Sequence, residues 1–396
     1  MRNSARRDLV STFASFGLCG LVAGTWISRI PAARDHLHAD LAVIGVVLVC
    51  MGIGSFLTMP FGGRLTHRLS SRTVCLIAGI GAATAFSVLP LMQSPVAFGA
   101  VLLVAGACFG CWEVTLNVHG ADVERVAGRS VMPAMHGLWS GGVMVGSAIG
   151  ALMATWQVPM TIHFWCVAPC AAVLNVICTR GWHDHRRPVA AGVKRARPST
   201  RALSIPVIML AAMLVCSNLG EGSASDWLAL YAHDVRKLGE GAAAAAFTVY
   251  SVTSTAGRLA GGFVVDRMGK LGTLRLSGLV TFAGIAVVLF LPVDFAPYLG
   301  AALWGIGLAV VFPTAITIAG EQAGDNSAGA ISAVSTMGYG AFLVGPPLIG
   351  VIAHHTSLVV VLTGVMILTL GITILSGPAT RHASSRPDPV EVEPIG

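Results

Sequence analysis

The run LVSTFASFGLCGLVAGTWISRI, residues 9–30, carries a single charge in 22 positions, Arg29, and that charge stands at its end. At 1.5 Å per residue such a run is about 33 Å long as a helix, enough to cross the hydrocarbon core of a bilayer. The basic start Met1-Arg-Asn-Ser-Ala-Arg-Arg imitates a secretory signal. However, the apolar run is too long for a signal and lacks a small-residue cleavage pattern, so it reads as a retained first span. Working outward, eleven more apolar runs follow, at 41–62, 73–91, 95–118, 132–156, 159–179, 204–231, 242–265, 273–291, 296–320, 328–353 and 357–376. Lipid admits only helices or closed barrels, and runs of this length exclude strands. The expected fold is an all-α membrane protein of twelve transmembrane helices.

Composition agrees. The chain of 396 residues is 55% hydrophobic and 11% charged, against about 25% charged for a soluble domain. Its mean hydropathy is +0.77. Twelve spans leave no room for a sizeable soluble domain, which excludes most cofactor-fed and nucleic-acid enzymes. The net charge of +7 is therefore read as topology rather than as affinity for nucleic acid. With the N-terminus inside, 21 of the 25 Lys and Arg fall on the inner side, leaving Arg29, Arg34, Arg236 and Lys237 outside. That bias places both termini in the cytoplasm. All nine cysteines lie in apolar runs and read as small hydrophobes. Cys108 and Cys111 have no partners that would complete a metal or redox site, and neither a metal nor a cofactor is expected.

The chain repeats itself at half its length. Gly63-Arg-Leu-Thr-His67-Arg68 closes the second span and Gly262-Phe-Val-Val-Asp266-Arg267 the eighth, an offset of 199. Gly20 to Trp26 aligns with Gly220 to Trp227, and Gly142, Gly146 and Gly150 with Gly340, Gly345 and Gly350. Two pseudo-symmetric six-helix bundles are expected, at 1–179 and 204–376, joined by a basic, proline-punctuated linker at 180–203 and followed by a cytoplasmic tail at 377–396. Parallel six-helix halves around a midplane site are a transporter architecture.

The stretch Gly257-Arg-Leu-Ala-Gly-Gly-Phe-Val-Val-Asp-Arg-Met-Gly269 resembles the signature loop of the major facilitator superfamily, and the resemblance covers the whole chain. The first-half copy departs from it, with His67 where the family has Asp and Ser70 where it has Gly. Gly110-Cys-Trp-Glu113-Val-Thr-Leu-Asn117 is similar to the Glu-x-x-x-Asn helix of the fucose:proton symporter branch. Phe312-Pro313-Thr314 and Gly345-Pro346-Pro347 resemble the same branch, nearest to its MosC/YbjJ-like membrane proteins. The resemblance implies proton-coupled uptake of a sugar-like or cyclitol-like solute, with the glutamate linked to sugar binding and proton coupling. Those symporters usually have an acid in the first span, and this chain has none between Leu9 and Ile30.

Among single residues, Glu113 stands out. It is expected about 10 Å from the cytoplasmic end of its helix, where a charge costs about 2.5–3.5 kcal/mol and desolvation favours the protonated acid. Asn117, one turn on, is expected to reach both that carboxyl and a substrate hydroxyl. Asn218, Glu221 and Ser225 form a polar stripe in the seventh span, with Glu221 as the substitute for the absent first-span acid. For both acids a structural role in helix packing is the alternative. Asp226 is expected to face Arg29 across the halves and close an outer gate; two independent interfacial charges are the alternative. Arg258, Asp266, Arg267 and Lys270 are read as a cytoplasmic charge network that holds one conformation. Trp112 and Trp139 are the preferred stacking faces for a sugar ring, ahead of Trp26 and Trp304, and His136 is placed within reach of Asn117. The expected activity is secondary transport by a monomer in a bacterial inner membrane, with a small solute and protons as partners. Drug or metabolite efflux by proton antiport is the same-fold rival, a non-transporting sensor is a weaker one, and no nucleophile–base pair supports an enzyme.

Overall fold

A computed structural model describes residues 2–128, 131–183, 205–323 and 327–380. The helices are α1 (Arg2–Ile27), α2 (Ile30–His36), α3 (Leu41–Leu69), α4 (Ser71–Val88), α5 (Pro95–Ala127), α6 (Met132–Thr155) and α7 (Met160–Thr179). They continue with α8 (Ile205–Asp234), α9 (Glu240–Phe290), α10 (Ala296–Leu308), α11 (Val311–Ala323), α12 (Ser327–His355) and α13 (Leu358–Thr380). Ten of these stretches are long and apolar enough to cross a membrane. The 51 residues of α9 are too long for one crossing, and the chain turns at Gly269, whose φ of 71° suits glycine. Both ends of α9 consequently lie on one face: Glu240 begins it, and Arg236 donates to the Leu291 and Val293 carbonyls just past its end, at 3.0 and 2.6 Å. Counting α9 twice, α10 with α11 as one span, and α12 gives twelve crossings. The break between α10 and α11 precedes Pro313, which has no N–H to offer the preceding turn.

Local sequence sets several helix starts. Asp40 accepts from the Val43 amide at 2.8 Å, and Ser94 from Ala97 at 3.2 Å with Pro95 in the first turn. Gly128, at φ 65°, ends α5, and the Glu124 carboxylate then accepts from the Val131 and Met132 amides at 2.7 Å to start α6. Thus α5 runs nine residues beyond the apolar run that marks it in the sequence, because its last turns are polar but hydrogen-bonded.

Helices α1 and α3–α7 form one bundle and α8–α13 the other; the seams between them pack α3 on α12 and α6 on α9. In the first bundle the glycine row works as expected. A Cβ at Gly142 or Gly146 would collide with the α1 backbone at Gly17 or Leu21, and one at Gly20 or Gly24 with α6. The matching row in α12 does less: Gly340 faces open space, Gly345 meets only the Leu219 side chain, and Gly350 alone meets backbone, at Leu41 and Gly45. Most of the expected linker lies outside the described residues, as does the chain beyond Thr380, four residues past the expected end of the last span. Residues 180–183 pack on the first bundle instead of leaving it. Trp182 is buried and stacks on His119 at 3.9 Å between ring centroids.

On the face opposite the chain termini, here the distal face, two ion pairs and one histidine–carboxylate contact join the bundles among the described residues. Arg29 lies 3.3 Å from Glu240, Arg34 2.7 Å from Asp234, and His354 3.5 Å from Asp40. Beside them Gly45 meets α12 so closely that a Cβ would stand 2.7 Å from the Pro346 carbonyl and 3.0 Å from the Gly350 Cα. Gly45→Val is expected to wedge this seam apart. Spin labels on distal loops should report a longer inter-bundle distance, with little change in thermal stability.

Candidate transport site

Glu113, Glu221 and Arg258 stand near mid-depth. Glu113 is the nineteenth of 33 residues in α5, Glu221 lies near the middle of α8, and Arg258 is about 16 Å along α9 from its turn at Gly269. Charges at such depth face cavities or one another and mark pathways. Arg258 donates through Nη2 to the Glu221 carboxylate at 2.6 Å and through Nη1 to the Ser140 hydroxyl, across the seam in α6, at 3.2 Å. Both members of the ion pair keep access, at 36% and 26% exposure. His136, one turn before Ser140, is exposed, sets its ring edge-on to Phe16 at 5.3 Å and lies within electrostatic reach of Arg258. Tyr250 lies within the same reach of both Glu221 and Arg258, edge-on to Trp304 at 6.2 Å, and its hydroxyl has no partner among the described residues.

Several expectations need correction. Arg258 does not belong to a cytoplasmic network with Asp266, Arg267 and Lys270, because more than two turns of helix separate it from them. Arg267 lies over the Phe263 ring at 5.6 Å, Lys270 pairs with Glu321 on α11, and Asp266 is exposed with no ion-pair partner among the described residues. The Lys270–Glu321 pair is open to water at 33% and 49%, so Lys270→Ala should change stability by less than about 1 kcal/mol, measured by thermal denaturation. Arg29 finds its acid in Glu240 rather than Asp226, and its other bond, from Nη2, goes to the Val158 carbonyl at 2.8 Å. Asp226 is half-buried on α8, without an ion-pair partner among the described residues.

The Glu113 carboxylate also has no hydrogen-bond or ion-pair partner among the described residues, although it is half-buried. Asn117 does not bond that carboxyl; its Nδ2 donates to the Glu113 backbone carbonyl at 2.9 Å, which leaves its side-chain oxygen available. His136 packs on Phe16, and no hydrogen bond joins it to Asn117 among the described residues. Trp112 is 1% exposed, with its ring set edge-on to Phe109, and belongs to the core of the first bundle. Trp139 is half-buried on the α6 face that meets α1. Asn218 is buried, and its Nδ2 has no partner among the described residues.

Sequence reasoning missed Ser140, Tyr250 and Glu240, which become significant only through their partners. It also missed a buried pair at the terminal face, where His119 lies 2.9 Å from Asp8 beneath the Trp182 ring. Asp8 falls one residue before the first apolar run, so a search confined to that run passes it by.

Residues 10–341 match the family model of the Major Facilitator Superfamily. The chain belongs to that superfamily. It is 32% identical to the uncharacterised transporter y4wD of Sinorhizobium fredii over 350 residues, 87% of this chain and 91% of that one. It is 30% identical to an uncharacterised MFS-type transporter of Yersinia pestis over 378 residues, 94% and 96% of the two chains. With the membrane protein MosC of Rhizobium meliloti the identity is 24% over 376 residues, 94% and 90% of the two. The fold is that of the nucleoside transporter NupG, with a TM-score of 0.71 at 16% identity over 97% of this chain and all of the other. A bacterial homologue of the lysosomal transporter Spinster, in an inward-facing and unoccupied conformation, gives 0.74 at 10% identity over 96% and 98%. The protein is thus a multi-pass membrane transporter of the superfamily, and its Arg258–Glu221 pair meets the opposite half at Ser140.

Proposed function

We propose that this transporter carries a small polyhydroxylated solute, sugar-like or cyclitol-like, inward with a proton by alternating access. The observation that carries the reading is Glu113, a carboxyl at mid-membrane depth that has neither cation nor hydrogen-bond donor among the described residues. A carboxylate kept so has no structural pair to maintain, and is suited to exchange a proton with an aqueous pathway. In the outward-open state Glu113 takes the proton and the solute binds beside it. The side-chain oxygen of Asn117 accepts a solute hydroxyl, the unused amide of Asn218 donates to another, and the Trp139 ring offers an apolar face. The solute must bind more tightly to the protonated carrier, and by linkage the proton then binds more tightly with solute present. Inward opening rehydrates Glu113 and releases both.

The excess of Lys and Arg on the terminal face supports a cytoplasmic location for both chain ends, in the inner membrane of a bacterium. In that orientation the distal ion pairs close the outer side, as in the inward-open half of the cycle. The functional unit is a monomer, since each chain holds both halves of the site. Uptake of labelled hexoses, pentoses and inositols into proteoliposomes with an acid exterior tests the reading. Accumulation that collapses with a protonophore supports it, whereas no sugar uptake and proton release on adding a cationic drug would replace it with efflux.

A further inference from the structure

Tyr250 lies within electrostatic reach of Arg258, and its buried hydroxyl has no partner among the described residues. Asn218, one turn before Glu221 on α8, likewise holds a side-chain amide without a partner among them. The acid on Arg258 is Glu221. Hydrogen-bonding capacity left unspent beside a guanidinium fits a ligand rich in acceptors. The pair itself is built to open: one Arg258 nitrogen reaches Glu221 within its own half, another reaches Ser140 on the opposite half, and both charged groups remain accessible. A neutral hydroxyl cannot compete with a carboxylate for a guanidinium, but a second anion can.

We infer that Arg258 docks an anionic group of the transported solute, a carboxylate or a phosphate, which displaces Glu221 from the guanidinium. The inference names a substrate class for the site proposed above, and it rests on that reading only for the proton. The step balances in charge. The solute anion takes the place of the Glu221 carboxylate on Arg258, and one proton on Glu221 replaces the cation it gives up. The salt bridge is exchanged and not lost, so an anion enters with its neutralising proton. Glu221 then carries the proton tied to solute charge, while Glu113 carries the one that drives accumulation.

Binding to the purified full-length protein, followed by calorimetry, tests this with matched pairs: glucose and glucuronate, galactose and galacturonate, glucose and glucose 6-phosphate, inositol and inositol monophosphate. At least one acid should bind tenfold or more tightly than its neutral parent, and whether uronates or phosphates do so separates the two anion types. Arg258→Gln should erase the preference and Arg258→Lys should keep part of it, which guards against a folding defect in the first variant. Glu221→Gln, which removes the competitor, should tighten acid binding about tenfold and abolish the uptake of one proton per bound anion seen by changing the buffer. If no acid in the panel exceeds its parent tenfold, or Arg258→Gln leaves the preference intact, the inference is overturned. Neutral sugars that drive proton entry through Glu113 would sink the anion site and leave symport standing. Acid binding that depends on Arg258 without any proton movement in vesicles would do the reverse.

Discussion

Glu113→Gln is expected to abolish concentrative uptake, lowering accumulation about a hundredfold, while exchange of labelled for unlabelled solute stays within a few-fold of the parent. Glutamine keeps the size of the side chain and its capacity to hydrogen-bond a solute, but it has no proton to exchange, so the variant resembles a carrier fixed in its protonated state. The fold should tolerate the change. The bond from Asn117 goes to the Glu113 backbone carbonyl, which the substitution leaves in place, and no cation depends on the lost charge among the described residues. A fall in exchange as steep as the fall in accumulation would mean that Glu113 supports structure and that the coupling acid lies elsewhere. Removing a transition shared by all substrates also predicts that the defect has the same size for every transported sugar.

Glu240→Gln should have the second largest effect, and through conformation. Arg29 is 2% exposed, held by the Val158 carbonyl and by Glu240 across the seam. Removing the acid leaves a buried guanidinium without its counter-charge, a loss below the roughly 3–5 kcal/mol of fully buried pairs because Glu240 is 30% exposed. The molecule can recover part of it by opening the distal seam and wetting Arg29, so the two-state equilibrium shifts toward the distal-open form by up to about a hundredfold. Spin labels at Gln93→Cys and Asp294→Cys, exposed positions on distal loops of the two bundles, should report a longer mean distance in Glu240→Gln than in the parent. Net transport should fall about tenfold, because the return to the inward-open form is disfavoured. Arg29→Ala should shift the equilibrium less, since Glu240 is 30% exposed and partly solvated once alone. Equal distances in parent and both variants would show that the pair does not hold the gate.

The twelve crossings were legible because lipid leaves the backbone few choices, and apolar length alone then counts helices. Helix ends were less so: the polar last turns of α5 look like a loop until Gly128 and the Glu124 carboxylate are seen to terminate and cap them. Glu113, Glu221 and Asn218 could be picked out one by one, since a polar residue inside an apolar run is conspicuous. Their partners could not. Arg258 adjoins Asp266 in a motif, yet the helix rise separates the two by about 12 Å and sets Arg258 beside Glu221, 37 residues earlier. Arg29 was matched to Asp226 by pseudo-symmetry, whereas packing of α9 against α6 brings up Glu240. Aromatic residues misled in the same way: Trp112 and Trp139 read alike in sequence, but one is core and the other half-open. Periodicity says which residues share a helix face, and only packing says what that face meets.

The most direct test of proton coupling at Glu113 is proton entry into sealed proteoliposomes, followed by an internal pH dye as solute is added without a pre-set pH gradient. With a neutral sugar as the solute, inward acidification that appears on its addition, scales with uptake and vanishes in Glu113→Gln is the predicted result. Solute uptake of undiminished size with no pH change in the parent protein, or an unchanged pH signal in Glu113→Gln, would contradict it.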